Sequence, residues 1–229
     1  MPKVKWDEAG TRVYETGVSQ CVLYPTDDTG AYTTGVAWNG ITQISNGTDG
    51  GDTNDFWADN MKYISLRGAE NFKPSITAYT YPDEWAECDG SASPVAGVYI
   101  GQQTRRVFGL SYRTEVGNDL LKEAYGYKIH LVWGATAAPS DKEYDSINDS
   151  PEAIEFSWEL DTTPVPVTGY KATAHMEIDT TKIPASKQTK IAELEAIIYG
   201  VDADQEHSIE GSDPRLPTPD EVIALFTAA

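Results

Sequence analysis

Ile154-Glu155-Phe156-Ser157-Trp158-Glu159-Leu160-Asp161 decides the fold class, because apolar and polar side chains alternate through it without a break. Strict period two marks a strand with one dry face and one wet face. Phe156, Trp158 and Leu160 therefore point one way, toward a core. Pro164, Pro166 and Gly169 interrupt the pattern. Tyr170, Ala172, Ala174, Met176 and Ile178 restart it, alternating with Lys171, Thr173, His175, Glu177 and Asp179. Two alternating runs around a Pro/Gly loop predict an antiparallel hairpin over 154–179. Its polar side collects Glu155, Glu159, Asp161, Glu177 and Asp179 against Lys171 alone. A helix is expected next, Lys187 to Tyr199, with Ile191, Leu194 and Ile198 as its apolar stripe and Gly200 placed to stop it. Hairpin plus covering helix makes the chain mainly β with a flanking α-helix.

Working outward, Val13–Tyr24 reads as a strand region bulged near Gly17, and Thr33–Asn39, Ser75–Tyr81, Arg105–Thr114 and Tyr127–Trp133 read as further strands. Residues 82–88 suit a short helical turn anchored by Trp85. The stretch 45–60 differs. It holds Asn46, Gly47, Asp49, Gly50, Gly51, Asp52, Asn54, Asp55 and Asp59, too little apolar surface to order itself. It is expected to be a long functional loop, with Phe56 and Trp57 as anchors that something covers. Residues 1–12 form an amino-terminal arm. Residues 201–229 form a carboxy-terminal arm, extended by Pro214, Pro217 and Pro219 and ending in apolar side chains that dock on a neighbour. All 229 residues are accommodated in one domain.

Charge narrows the function. With 17 Lys and Arg against 36 Asp and Glu, the net charge is −19. Such a chain repels phosphate backbones and anionic membranes. No apolar run reaches transmembrane length, and the start, Met1-Pro2-Lys3-Val4-Lys5-Trp6, lacks the apolar core of a secretory signal. Cys21 and Cys88 read as a reduced intracellular pair, with a disulfide between them as the alternative. His130, His175 and His207 are far apart, and His175 with Glu177 on one strand lacks a third metal ligand. Asp49, Asp52, Asn54 and Asp55 do not have calcium-loop spacing. Gly109-Leu110-Ser111-Tyr112-Arg113 lacks the second glycine of a nucleophile elbow. No catalytic, cofactor or metal site is expected.

Several stretches, in order along nearly the whole chain, carry a family resemblance. They are Tyr14-Glu15-Thr16-Gly17-Val18-Ser19, Gly35-Val36-Ala37-Trp38-Asn39-Gly40, Leu110-Ser111-Tyr112-Arg113-Thr114 and Gly117-Asn118-Asp119. Then come Tyr127-Lys128-Ile129-His130-Leu131-Val132-Trp133-Gly134 and Phe156-Ser157-Trp158-Glu159. The last are Leu194-Glu195-Ala196-Ile197-Ile198-Tyr199-Gly200 and Leu216-Pro217-Thr218-Pro219-Asp220-Glu221-Val222. In these the sequence resembles the major tail tube protein of long-tailed, non-contractile bacteriophages and related prophages.

The resemblance implies a β-sandwich flanked by a helix, whose sheet joins an inter-subunit β-barrel. It implies a structural virion protein and not an enzyme. Hexameric rings would stack into the tail tube, the conduit for DNA ejection. The implied partners are the chain itself and the tail tip, tape measure and tail terminator proteins, with assembly in the bacterial host's cytoplasm. Under it, Glu155, Glu159, Asp161, Glu177 and Asp179 are candidates to face the lumen. Two other classes stay open: a carbohydrate-binding β-sandwich using the aromatics in host recognition, and a hydrolase with a carboxylate pair.

Overall fold

The computed structural model describes residues 3–144, 146, 147, 149, 153–203 and 210–227. Parts of both arms, at 1–2, 204–209 and 228–229, and His207 lie outside the described residues. Among the described residues there are fourteen strands. They are β1 Val13–Pro25, β2 Val36–Ala37, β3 Ile41–Ser45, β4 Thr48–Gly50, β5 Thr53–Ala58, β6 Met61–Arg67, β7 Glu70–Phe72 and β8 Ser75–Ala78. Then follow β9 Ala92–Val95, β10 Val98–Ile100, β11 Phe108–Asn118, β12 Lys122–Ala137, β13 Phe156–Thr162 and β14 His175–Asp179. The helices are α1 Trp85–Cys88, α2 Gln188–Tyr199 and α3 Pro219–Thr227.

The main sheet is antiparallel in the order β2-β1-β11-β12-β13-β8-β3, with β14 also on β12. The long strand β12 explains the architecture. Its residues Lys128–Val132 pair with β14, and its residues Ala135–Ala137 pair with β13. Between them Gly134 sits at φ +63, where a side chain is strained and where an added Cβ would run into the Thr163 carbonyl. Glycine there lets the strand turn from one sheet into the other, as strands do at sandwich corners.

This overturns the hairpin over 154–179. β13 pairs with β12 and β8, β14 pairs with a different part of β12, and one bridge, Val165 to Thr173, joins the two runs. Alternation fixes which face a residue takes but says nothing about which strand lies beside it.

Two cores result. Leu23, Leu110, Tyr112 and Val132 from one layer meet Ile76, Ala78, Trp158 and Leu160 from the other, with Trp38 and Trp85 between them. On the opposite face of β1, β11 and β12, Tyr24, Ile129, Leu131, Trp133 and Ile178 pack under α2 through Ile191, Leu194 and Ile198. Tyr24 closes that second core with its hydroxyl donating to the Ile198 carbonyl at 2.8 Å.

The carboxy-terminal segment, expected to dock on a neighbour, packs on its own chain. Trp133 Nε1 donates to the Pro217 carbonyl at 2.9 Å, and Leu216 and Val222 are buried in the second core. The apolar end at Val222–Phe226 is the inner stripe of α3 and docks on its own chain. No helix among the described residues is long and apolar enough to cross a membrane.

Candidate assembly interface

The stretch expected to be a loop is a β-ribbon. β4 pairs with β7, and β5 pairs with β6, joined through Asp59 and Asn60 at φ +51 and +60. Two successive left-handed residues make the turn that matches strand twist in a two-residue hairpin. The low apolar content signals exposure, since every residue of β5 and β6 is exposed.

The ribbon is two-sided. Phe56 lies opposite Ile64, Asn54 opposite Leu66 and Ala58 opposite Met61, so period two, with the register shift between Phe56 and Trp57, sets Phe56, Ile64, Leu66 and Met61 on one face. Asp55, Ser65, Trp57 and Lys62 take the other, where Asp55 accepts from Ser65 at 2.6 Å and pairs with Lys62 at 2.8 Å. Phe56 and Trp57, expected to anchor together, thus point to opposite faces. The apolar face is uncovered: Phe56 is 51 % exposed and Met61 63 %. A two-stranded ribbon on its own is marginal in water and gains from a surface against its apolar side. Met61, Ile64 and Leu66, just past the 45–60 stretch, are the part of this surface that sequence reasoning missed. Their signal was the alternation of Ile64 and Leu66 with Ser65 and Arg67 after the Asp59-Asn60 turn.

Of the other expected residues, Trp158 and Leu160 are fully buried and Phe156 is partly so. Trp158 packs edge-on against Trp38, Trp85 and Tyr81 at centroid distances of 5.7, 5.3 and 5.6 Å. The five lumen candidates do not share a surface, because β13 and β14 belong to different layers. Glu155, Glu159 and Asp161 lie on the open side of β13, away from Trp158. Glu155 accepts from the Thr42 hydroxyl at 2.6 Å, and Lys73 stands 4.0 and 3.5 Å from Glu159 and Asp161. Glu177 and Asp179 share the face of β12 that carries Lys128 and His130. Lys128 pairs with Glu15 and, at 2.9 Å, with Glu177.

Beside Glu177 the register brings together two histidines that the sequence left far apart. His130 Nδ1 and His175 Nε2 are 3.3 Å apart, inside a stack running Tyr112, His130, His175, Phe72. Thr114 Oγ1 meets His130 Nε2 at 3.0 Å. Burial, then the neighbouring His175, lowers the His130 pKa to about 4, and burial lowers that of His175. The pair is neutral near pH 7. Among the described residues no group of three His, Cys, Asp or Glu is placed to hold a metal. Cys21 and Cys88 are free and buried, and burial pushes each thiol up to about 12. Trp38, Trp85, Trp133 and Trp158 are all core residues.

No family matches the sequence, and no curated protein does. Solved structures similar to the chain include three at 10% identity. One is a sheath–tube complex of an extracellular contractile injection system (PVC) in its extended state, with a TM-score of 0.36 over 77% of this chain and 94% of that one. Another is the tube-terminating cap of the anti-feeding prophage, at 0.35 over 78% and 96%. The third is the sheath/tube terminator of the PVC system, at 0.32 over 77% and 99%.

Proposed function

We propose that the chain is a self-assembling structural subunit, polymerising as stacked hexameric rings into a tail tube that conducts DNA. The observation that carries self-assembly is the ribbon's apolar face, where Phe56, Met61, Ile64 and Leu66 lie uncovered together on one side of a two-stranded ribbon. Open strand edges add to it. β1 is paired on one side by β11 along its length, while β2 covers only Val22 and Leu23 on the other. Residues 13–19 thus present an edge that a neighbouring sheet can take up.

The ring and tube form is supported by the tail-tube resemblance of the sequence stretches. The net charge of −19 suits a conduit that passes DNA without holding it. Glu155, Glu159 and Asp161, on the open side of β13, are then the carboxylates best placed to line the channel. The tail tip, tape measure and terminator proteins would be the partners at its ends.

Phe56→Ser with Ile64→Ser tests the interface. Both positions are exposed, so the subunit should keep its fold. Losing two half-buried apolar contacts removes about 2 kcal/mol, roughly a 30-fold rise in the concentration needed to assemble. Assembly of this variant at the wild-type concentration would show that the ribbon's apolar face is not an interface.

A further inference from the structure

Lys3-Val4-Lys5-Trp6 alternates basic and apolar residues at strand period, in a chain otherwise dominated by acid. Val4 is 64 % and Trp6 77 % exposed, although Trp is seldom left bare without a partner surface. Lys5 makes an exposed pair with Glu8 at 2.9 Å, an interaction of little strength.

β14 offers a complementary edge. Thr180 donates to the Tyr127 carbonyl, and the Ala174 carbonyl accepts from Trp133. Antiparallel alternation therefore turns the backbone groups of Met176 and Ile178 toward β12, and those of Glu177 outward. The outward groups of His175 are taken up by the Thr173 hydroxyl, and the Asp179 carbonyl by Lys182. Glu177 is left as the open rung. Along one side of this edge runs an apolar groove, walled by Met176, Ile178, Ile183, Val222 and Phe226. On the other side Glu15 and Glu177 share Lys128, and Asp179, which accepts from Thr181, lies opposite Lys128 across the strands, so carboxylates outnumber the cation on that surface.

We propose that Lys3–Trp6 of one copy adds as an antiparallel strand to the β14 edge of a second copy, with Lys5 opposite Glu177. That one register satisfies both faces. It sets Lys3 opposite Asp179 and Lys5 opposite Glu177 on the acidic side. It also sets Val4 opposite Ile178 and Trp6 opposite Met176, beside the apolar groove. Strand addition of this kind takes affinity from main-chain hydrogen bonds and selectivity from alternate side chains.

The donor is a second copy because the chain's own arm is too short. Gly10 is pinned at the β11–β12 turn, its N–H donating to Asp119 at 2.9 Å and its carbonyl accepting from Asn118 at 3.2 Å. From Gly10 to Val4 six residues span at most roughly 20 Å, whereas from Lys122 to His130, the residue facing Glu177, eight rungs of β12 run roughly 26 Å.

The pairing rests on the self-assembly reading, and the test separates the two. Lys5→Cys and Glu177→Cys are placed together in the full chain, with each single variant as control; Cys21 and Cys88 are buried. Opposed residues at such a rung have Cα atoms about 5.5 Å apart, inside the range a disulfide spans. After mild oxidation, non-reducing electrophoresis should show a ladder beyond dimer for the double variant, and dimer at most for either single one. Sedimentation of the same samples reports assembly. Assembled protein without a ladder overturns the strand pairing and leaves self-assembly standing, whereas protein that stays monomeric overturns both. In a second arm, Lys5→Glu should raise the assembly concentration by up to about fivefold, and adding Glu177→Lys should reverse it. Loss without reversal overturns the register.

Discussion

Acidification should weaken the fold through His130, by an amount that can be worked from its surroundings. The side chain is 4 % exposed, stacked on Tyr112 and His175, with the Thr114 hydroxyl at its Nε2. Glu177 stands 4.0 Å away and favours the charged form, while Lys128 opposes it and Glu15 supports it. Burial outweighs them, and the pKa falls from 6.5 to about 4. The unfolded chain therefore takes up a proton near pH 6.5 that the folded chain refuses until about pH 4. Stability from this group is complete above pH 6.5 and declines as pH falls through the window between the two values. At pH 5.5 the loss is about 1.4 kcal/mol relative to pH 7.5, and it grows to about 3 kcal/mol below pH 4. Carboxylates add their own acid dependence, so the measurement is a difference. Urea unfolding of wild type and of His130→Gln is compared at pH 7.5 and 5.5. The variant should be less stable at pH 7.5, yet lose about 1.4 kcal/mol less on acidification. Equal losses in both proteins would show that His130 ionises as freely folded as unfolded, and that the four-ring stack does not exclude the proton.

Three further outcomes are expected. Trp158→Ala should lower stability by about 3–5 kcal/mol in chemical denaturation, because its indole fills the centre of the first core. Trp158→Phe should lose distinctly less, since it keeps the edge-on aromatic packing and removes an indole N–H that has no hydrogen-bond partner among the described residues. Glu155→Lys with Glu159→Lys should leave the folded subunit intact, both residues being exposed, and slow or stall DNA ejection from assembled particles. Unchanged ejection kinetics would place the open side of β13 away from the channel.

Much of the fold was legible wherever a periodic run is long and one face is dry. The Ile191, Leu194 and Ile198 stripe, the inward set of Trp158 and Leu160, and the bulged first strand all follow from local pattern. What local pattern lacks is the identity of the neighbour. One long strand, turned at Gly134, serves β14 with one half and β13 with the other, so two alternating runs that adjoin in sequence end in different layers. The same blindness kept His130 and His175 apart on the page and made Glu155 and Glu177 look like companions. The ribbon was misread for a different reason. Its Asp, Asn and Gly content matches a loop because both its strands stand clear of the core. The Pro-rich segment before α3 was read as part of an extended arm docking on a neighbour because the carbonyl of Pro217, which Trp133 holds, leaves no mark in the sequence.

Sedimentation velocity of the purified full chain over a range of concentration, with negative-stain imaging of the same samples, tests self-assembly most directly. Rings or stacked tubes are expected to appear as concentration rises, and Phe56→Ser with Ile64→Ser should shift their onset roughly 30-fold upward. A wild-type chain that sediments as monomer throughout, with no ring or tube in any image, would contradict it.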